Sequence, residues 1–327
     1  MVKNILITGG AGYIGSHIIE NLIKKKKNIF IVDNLSTGYK ILINKKAKFF
    51  KLNILNTKKL KNLITRNKID SVIHLAANLI IGEGEKKPKK YYKNNVKGTV
   101  SLLNAIKYTK VKNFLFSSTA AVYKDGFYKV SEKSPIKPKS IYGKTKFQSE
   151  KLIQKFCKKF NINFGILRYF NIVGASQSGK IGLINKSDHL FKNFSTQIMK
   201  KKPVLKIYGS DYDTNDGSCV RDFIHVSDIA DIHEKVLKKL DISKKSVVLN
   251  CGYNKGISVI EVAKEFEKQT RKKINIIFKP KRSGDLGKII ASNTNLRKFI
   301  KWAPKFDKLD VMVKSCIKWE KNFKTLK

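Results

Sequence analysis

The sequence predicts an α/β fold: a doubly wound parallel sheet with a smaller mixed α/β domain after it. In the first half, short β-branched runs alternate with helical stretches, an order typical of parallel strands joined by crossover helices. The run Ser71–Leu75 is typical of a strand covered on both faces. After about Asn171 the alternation breaks, and residues 174–188, rich in Gly, Ser and Lys, predict a loop.

Short hydrophobic runs and stretches with helical periodicity predict where the individual strands and helices lie. The predicted strands of the first half are Asn4–Thr8, Ile29–Asp33, Phe49–Leu52, Ser71–Leu75, Asn113–Ser117 and Phe164–Arg168. The predicted helices between them are Tyr13–Lys25, Thr57–Arg66, Tyr91–Tyr108 and Tyr142–Phe160. The second half is predicted to hold a strand Val247–Asn250, a helix Val259–Gln269 and a strand Ile274–Phe278.

Length and composition exclude several classes of protein. The chain has 327 residues, is 42% hydrophobic and contains 6 Pro, which argues against disorder and collagen-like repeats. No run approaches 18 apolar residues, and the apolar run at the N-terminus is too short for a signal peptide, so we expect no membrane segment and a cytoplasmic location. The 4 Cys form no C-x-x-C pair and the 5 His no ligand pattern, so we expect reduced thiols and no metal.

The charge of the chain is strongly positive. The sequence has 69 Lys+Arg against 24 Asp+Glu, a net charge of +45, which suggests a nucleic-acid partner. Only six of the basic residues are arginine, the residue that reads phosphates and bases by bidentate contact. We therefore interpret the excess as solvated lysine, whose frequency rises together with that of Asn and Ile when codons are rich in A and T. We expect no specific nucleic-acid partner.

A glycine-rich turn follows the first predicted strand. Gly9, Gly12 and Gly15 have the spacing G-x-x-G-x-x-G and stand between a strand and a helix. Such a turn brings backbone close to a pyrophosphate, and the helix N-terminus offers free N–H groups to it. Asp33 closes the next strand, where a carboxylate accepts hydrogen bonds from a ribose 2′-OH and favours NAD over NADP. The sequence therefore predicts a Rossmann-like, NAD-binding first half.

A second motif predicts acid–base chemistry. Tyr142 and Lys146 are four residues apart on one predicted helix, so they lie on the same face. We expect Lys146, together with the nicotinamide cation, to favour the phenolate of Tyr142, which could then exchange a proton with a substrate hydroxyl. Thr119 ends a predicted strand and could share hydrogen bonds with Tyr142 and the substrate oxygen. These three residues are the predicted catalytic group.

These motifs resemble the extended short-chain dehydrogenase/reductase family, and within it the 4-epimerases of UDP-hexoses. The similarity is carried by residues 9–17, 33–36, 91–99 and 113–119 and extends from Lys3 to about Lys301. It implies a NAD-binding domain over 1–173, completed by a segment near 218–240, a UDP-sugar-binding domain over 174–327, and a homodimer formed by the helices Tyr91–Tyr108 and Tyr142–Phe160.

The resemblance also assigns binding residues. For NAD it implies the predicted catalytic group and the following residues: Gly9, Gly12, Tyr13, Ile14, Gly15, Asp33, Asn34, Asn53, Ile54, Leu75, Ala76, Ala77, Asn94 and Phe170. For the UDP-sugar it implies Asn171, His189, Leu190, Lys206, Tyr208, Arg221, Arg282 and Asp285. Asn53 stands where the family has an acidic residue, and His189 where it commonly has Asn.

Three functions stay open at this stage. The family's dehydratases place an Asp-Glu pair after the threonine; Ala120 and Ala121 occupy those positions, which favours oxidation and re-reduction at C4 of UDP-glucose or UDP-galactose. Ile289, intermediate in size at the position that selects for an N-acetyl group, leaves other UDP-sugars as an alternative. The third is a basic RNA-binding protein, although no alternating aromatic–basic platform for bases is visible.

Overall fold

The computed structural model describes residues 2–185, 189–281 and 286–325. Its strands are β1 Asn4–Thr8, β2 Asn28–Asp33, β3 Lys48–Lys51, β4 Ser71–His74, β5 Asn113–Thr119, β6 Lys129–Val130, β7 Asn163–Tyr169, β8 Asn171–Val173, β9 Val204–Tyr208, β10 Val220–Arg221, β11 Phe223–His225, β12 Val247–Cys251, β13 Ile257–Ser258, β14 Asn275–Lys279 and β15 Lys288–Ala291. Its α-helices are α1 Tyr13–Lys24, α2 Thr57–Arg66, α3 Ile81–Lys86, α4 Pro88–Tyr91, α5 Gly98–Ile106, α6 Ile141–Lys159, α7 Leu190–Gln197, α8 Val226–Ser243, α9 Val259–Thr270, α10 Thr294–Ile300 and α11 Leu309–Thr325.

A seven-stranded sheet organises the chain. Its strand order is β12-β7-β5-β4-β1-β2-β3, and every neighbouring pair is parallel. The chain moves outward from β1 to β3 and then crosses to β4, on the other side of β1. Ligands of open α/β sheets bind at such a reversal, beyond the carboxyl ends of the strands.

Alternate residues of each strand enter two separate cores. Ile5 and Ile7 belong to the core that contains α1 and α8, whereas Leu6 faces the core that contains α2, α5 and α6. All three side chains are 0% exposed, because a central parallel strand is covered by helices on both faces. This two-sided burial explains why β1 reads as a continuous apolar run.

The second half of the chain packs against the first. It contributes β13, β10 and β15 to a mixed sheet of order β13-β10-β15-β6, forms the parallel pair β9–β14, and adds β11 in parallel to β8, whereas β6 and β8 come from the first half. Phe191, Phe194 and Phe266 join α7 to α9 in a core that is continuous with the α1 face of the main sheet. Over the described ranges, no helix has the length and apolarity to cross a bilayer.

The structure confirms the predicted fold class and corrects one predicted helix. The predicted strands of the first half lie within two residues of β1 to β5 and β7. Instead of a single helix Tyr91–Tyr108, the chain forms α4, a π-helical turn over Tyr92–Lys97, and α5, which ends at Ile106. Tyr108 has a φ of +59°, outside helical geometry. Apolar periodicity alone does not reveal such a π-turn, which is frequent at functional sites.

Candidate active site

The glycine turn connects β1 to α1 through close backbone contacts. Gly9 has a φ of +74°, and a Cβ built on it would lie 2.7 Å from the Ala76 nitrogen. A Cβ on Gly15 would lie 2.6 Å from the Gly9 oxygen, so the turn and the helix pack backbone to backbone. Gly12 is the N-cap of α1, and no side chain of the described residues caps this helix. The N–H groups of the first turn are therefore available to an anion.

Asp33 stands beside this turn at the end of β2. Its carboxylate is 8% exposed and accepts hydrogen bonds from the backbone N–H groups of Ala11, at 3.1 Å, and Leu35, at 2.8 Å. Burial raises the pKa of the carboxyl, and these two N–H groups lower it in part. The carboxylate is thus held against the glycine turn, in the position where a ribose hydroxyl would approach.

The loops after β2 and β3 continue this edge. The Asn34 side chain accepts from the Ser36 N–H, and the exposed Asn53 side chain accepts from the Leu55 N–H, so both form local turns. Ile54 is buried against α5, where a Cβ on Gly98 would lie 2.5 Å from its Cδ1. Asn53 has therefore committed one acceptor position of its amide oxygen locally.

The segment after β4 lies opposite the turn. Leu75, Ala76 and Ala77 are half-buried, and the Leu75 N–H donates to the Thr8 carbonyl at 3.0 Å. In the π-helical turn, Asn94 is half-buried, whereas Asn95 is 3% exposed. Asn95 accepts from the backbone N–H of residue 78 and donates to the Thr145 hydroxyl at 3.1 Å. Asn95, which the sequence analysis did not select, thus connects the loop after β4 to α6.

The predicted catalytic residues meet at the carboxyl end of β5. Thr119 ends that strand, and its hydroxyl lies close enough to the phenol of Tyr142 on α6 to lower the pKa of Tyr142. Lys146 is 2% exposed, and its ammonium donates to the Ser117 carbonyl at 2.6 Å. In the sheet, only β4 separates β5 from β1, so Thr119 and the glycine turn stand roughly 10 Å apart along the same edge.

Burial perturbs both titratable groups. It raises the pKa of Tyr142 to about 12, and the Thr119 hydrogen bond lowers it in part. It lowers the pKa of Lys146 to about 7, against an opposite effect of Glu150. In the protein groups alone, desolvation disfavours the charged form of each group, so the expected stabilisation of the phenolate by Lys146 together with the nicotinamide cation stays a prediction.

Most predicted sugar-side residues lie on the second half of the chain. Phe170 is 7% exposed in a small core, and Asn171 donates its backbone N–H to the Asp222 carbonyl at 3.0 Å. Arg221 donates to the Val220 carbonyl at 3.0 Å. Three other predicted residues lie on α7 and β9, where Leu190 starts the helix and Lys206 and Tyr208 are exposed. Two more, Arg282 and Asp285, lie outside the described residues.

One ring nitrogen of His189 has a hydrogen-bond partner among the described residues, and the other has none. Its Nε2 is 2.6 Å from the Ile172 carbonyl, and its ring packs edge-on against Tyr13. The Nδ1 atom is buried and has no hydrogen-bond partner among residues 2–185, 189–281 and 286–325. The Nε2 nitrogen is therefore the donor, which leaves Nδ1 as an acceptor. An acceptor does not attract a phosphate, so this ring would contact a diphosphate only through Nε2 or its carbon edge.

A buried ion pair behind Lys146 is the main feature that the sequence analysis missed. Glu150 is 0% and Arg168 is 3% exposed, and they form two hydrogen bonds of 3.0 and 2.7 Å. Glu150 continues the stripe of Tyr142 and Lys146 at intervals of four residues on α6, and that spacing was the available signal.

The donor set fits a dinucleotide and offers no evident metal centre. Three features lie together where the strand order of the sheet reverses. They are the glycines at which side chains would collide, the uncapped N-terminus of α1 and the carboxylate of Asp33. The protein groups here are the ones that bind a pyrophosphate and a ribose. Within the described ranges, no group of three or more His, Cys, Asp or Glu side chains is arranged to hold a metal ion.

Comparison with known proteins agrees with this geometry. The model of the NAD dependent epimerase/dehydratase family matches residues 5–252. The UDP-glucose 4-epimerase of Lactobacillus helveticus is 38% identical over 97% of both chains. The structure of a UDP-glucose-4-epimerase from Stenotrophomonas maltophila, with bound NAD and formylated UDP-arabinopyranose, superposes with a TM-score of 0.95 at 30% identity, covering 99% of this chain and 100% of that one.

A third relative broadens the substrates represented. The structure of the UDP-Glc/GlcNAc 4-epimerase from Campylobacter jejuni is 38% identical, has a TM-score of 0.85, and is covered over 99% of its length by 98% of this chain. The glycine turn, the carboxylate of Asp33 and the pair Thr119–Tyr142 occur in the order the resemblance predicts. Together with the family match over most of the sequence, they show that the chain belongs to the NAD dependent epimerase/dehydratase family.

Proposed function

We propose that the chain interconverts UDP-glucose and UDP-galactose by oxidation and re-reduction at carbon 4 of the hexose. The observation that carries the proposal is the placement of Thr119 and Tyr142 side by side at the same sheet edge as the glycine turn. A phenol and a dinucleotide on one edge can act on a single C–O–H unit. The full-length relatives named UDP-glucose 4-epimerase support the choice of substrate.

Tyr142 moves the proton. The Tyr142 oxygen accepts the proton of the sugar 4-OH as the C4–H bond breaks, and it returns the proton when the bond re-forms on the opposite face. The hydroxyl of Thr119, next to the phenol, would hydrogen-bond to it and orient it toward the substrate. NAD, when bound, supplies the hydride acceptor and donor, and its cationic ring favours the phenolate that burial alone disfavours. The cycle is redox-neutral, so we expect NAD to stay bound between turnovers.

The residues after Thr119 exclude a competing reaction. Ala120 and Ala121 form a short 3₁₀ turn there, and a Cβ on Gly143 would lie 2.4 Å from the Ala121 carbonyl oxygen. The turn is packed against α6 and carries no carboxyl group. Elimination of water from the sugar would need an additional acid and base at this point. Proton exchange at one oxygen needs only Tyr142.

The UDP side is proposed by resemblance. Asn171, Arg221 and Arg282 would contact the diphosphate, because arginine and amide groups donate hydrogen bonds to phosphate oxygens. His189 would approach the diphosphate with its ring edge, and Asp285 would accept a hydrogen bond from a ribose hydroxyl. Leu190, Lys206 and Tyr208 would line the uracil. The Stenotrophomonas relative, solved with a UDP-pentose, supports this assignment.

The direct test is conversion of UDP-galactose to UDP-glucose by the purified protein. Tyr142→Phe removes only the hydroxyl, and we expect kcat to fall by about 10²–10⁴. Thr119→Val should lower kcat, whereas Thr119→Ser, which keeps a hydroxyl, should retain most of it. Absence of conversion by the wild type, or undiminished conversion by Tyr142→Phe, would reject the proposal.

A second substrate class has specific support. The Campylobacter relative is a UDP-Glc/GlcNAc 4-epimerase at 38% identity, and Ile289, half-buried beside Phe170 and Ala120, has intermediate size. Comparing kcat/KM for UDP-glucose, UDP-N-acetylglucosamine, a UDP-pentose and a UDP-uronate separates these substrates. A value for UDP-N-acetylglucosamine equal to that for UDP-glucose would assign a dual specificity.

The proposal includes a homodimer built on α5 and α6. The outer face of α6 carries a groove lined by Pro138, Phe147 and Leu152 together with polar residues, and Val100 on α5 is 37% exposed. Apolar side chains on adjacent helix faces support a two-fold helical contact. Light scattering after size exclusion should give twice the chain mass; a monomer would contradict this assembly.

A further inference from the structure

The buried pair of Glu150 and Arg168 lies one helical turn beyond Lys146. Both carboxylate oxygens of Glu150 are occupied. Oε1 accepts from Arg168 Nε at 3.0 Å and from the hydroxyl of Ser118, and Oε2 accepts from Arg168 Nη2 at 2.7 Å. The remaining Arg168 nitrogen donates to the Tyr123 hydroxyl at 3.0 Å. Each side-chain nitrogen of Arg168 and each carboxylate oxygen of Glu150 thus has a hydrogen-bond partner, and the pair is enclosed by protein.

The position of the pair links the catalytic helix to the sheet. Ser118 and Arg168 are register partners across β5 and β7, and Ser117, next to Ser118, accepts the hydrogen bond of the Lys146 ammonium. Glu150 is therefore fixed to β5 and β7 directly behind the ammonium. It is too deeply buried to contact a substrate, so any effect on the reaction acts through Lys146 and the placement of α6.

Stability alone is a weak reason for such a pair. Replacing a buried ion pair by apolar residues of similar volume is often neutral or stabilising, although removing one partner is costly. Lys146 is 2% exposed and has lost nearly all hydration of its ammonium. A fixed negative charge within a turn of the helix compensates that loss. The charge thus has a use at this position that an apolar pair could not supply.

Of the other described groups around the ammonium, none carries a negative charge, although the ring face of Phe116, 4.7 Å from Nζ, also favours the cation. His74 of β4 lies near enough to Lys146 for their charges to repel each other, but burial lowers the pKa of His74 to about 3, so His74 is neutral. Tyr142 on α6 is a neutral phenol, since its pKa is raised to about 12. Ser117 and Ser118 on β5 carry no charge. Arg168 is a cation, and it faces Glu150. Of these neighbours, Glu150 carries the negative charge.

We propose that Glu150, held by Arg168, is a positioning residue that keeps Lys146 in its ammonium form beside Tyr142. The inference rests on the proposed epimerase function. It predicts that the charge of Glu150 sets the alkaline limit at which Lys146 still acts as a cation. The guanidinium of Arg168, through its two hydrogen bonds to the carboxylate, fixes the position of that charge.

The test compares kcat-against-pH profiles of holoenzyme variants with UDP-galactose. Glu150→Gln leaves the Arg168 cation buried and unpaired, so the double variant Glu150→Gln/Arg168→Gln, which removes both charges and leaves neither one unpaired, is the main probe. We expect its alkaline limb to move down by about one pH unit, with kcat about tenfold lower above the limb and KM little changed. Circular dichroism and thermal unfolding verify that each variant is folded.

A second buried ion pair supplies the matched control. Lys192 and Glu320 join α7 to α11, with 5% and 8% exposure of their side chains. The double variant Lys192→Gln/Glu320→Gln should lose comparable stability and keep the wild-type alkaline limb. An unshifted limb in a folded Glu150→Gln/Arg168→Gln variant would overturn the inference, as would an equal shift in the control. A wild type without epimerase activity would instead reject the proposed function.

Discussion

Three glycine-to-alanine substitutions separate the structural and binding roles of the glycine turn. On Gly15 a Cβ would lie 2.6 Å from the Gly9 oxygen and 2.7 Å from the Gly10 Cα, both of them backbone atoms that cannot rotate away. On Gly12 it would meet only the Gly9 oxygen at 3.2 Å, with an ordinary φ of −87°. On Gly82, in α3, it would meet nothing within 4 Å. The three sites thus offer the same chemical change in different surroundings.

The expected effects follow from these distances. Gly15→Ala is an overpacking substitution and should cost about 1–3 kcal/mol of unfolding free energy, which lowers Tm by roughly 1.5–4 °C for a chain of 327 residues. Gly12→Ala should leave the Tm of the NAD-free protein nearly unchanged. It should weaken NAD binding at least tenfold, about 1.4 kcal/mol, because its methyl group points to where the pyrophosphate would approach. Gly82→Ala should leave NAD binding unchanged and should keep or slightly raise Tm, because alanine favours the helix more than glycine does.

The assay measures the two quantities separately. Thermal unfolding by circular dichroism on protein stripped of NAD gives the folding effect, and calorimetric titration with NAD gives the binding effect. If Gly15→Ala unfolds at the wild-type temperature, the close helix–strand contact is not rigid. If Gly12→Ala binds NAD as the wild type does, the pyrophosphate does not lie on this turn.

Acid should destabilise the protein through its buried histidines. Burial lowers the pKa of these histidines below the ordinary value of 6.5, so the unfolded state binds more protons than the folded state. The unfolding free energy therefore falls from pH 7 to about pH 4. The loss is up to about 2 kcal/mol per histidine at pH 5, and urea titrations of wild type and His233→Gln should show a shallower pH slope in the variant. The histidines are His17, His74, His225 and His233. Asn95→Ala should lower Tm because it breaks the bonds to Thr145 and residue 78, whereas Asn94→Ala should weaken NAD binding at unchanged Tm; the opposite pattern would exchange their roles. RNA binding, measured by fluorescence anisotropy, should be weak and lost between 50 and 200 mM salt because it reflects net charge alone; tight binding at high salt would contradict this.

The sequence alone determined the first half of the fold and the identity of its chemistry-bearing residues. Strand β1, the glycine turn and Asp33 are local features, because a turn of fixed spacing between a strand and a helix dictates its own backbone. The four-residue interval of Tyr142 and Lys146 likewise fixes a shared helix face. Neither statement depends on where the rest of the chain goes.

Other features depended on contacts between distant segments. The π-helical turn is stabilised by Asn95, which bonds to residue 78 and to Thr145, so local periodicity predicted a plain helix instead. The partner of Glu150 is Arg168, 18 residues away and on another element. The roles of both residues are properties of the folded assembly rather than of their own segments.

The electrostatic state of the site was also decided by tertiary structure. From the sequence, Lys146 is a lysine beside a tyrosine; in the fold it is a desolvated amine with a pKa near 7 and a carboxylate behind it. The amino-acid order supplies the functional groups and their spacing along a helix. Only burial by the packed sheet, with the charges it brings together, sets which protonation states those groups can hold.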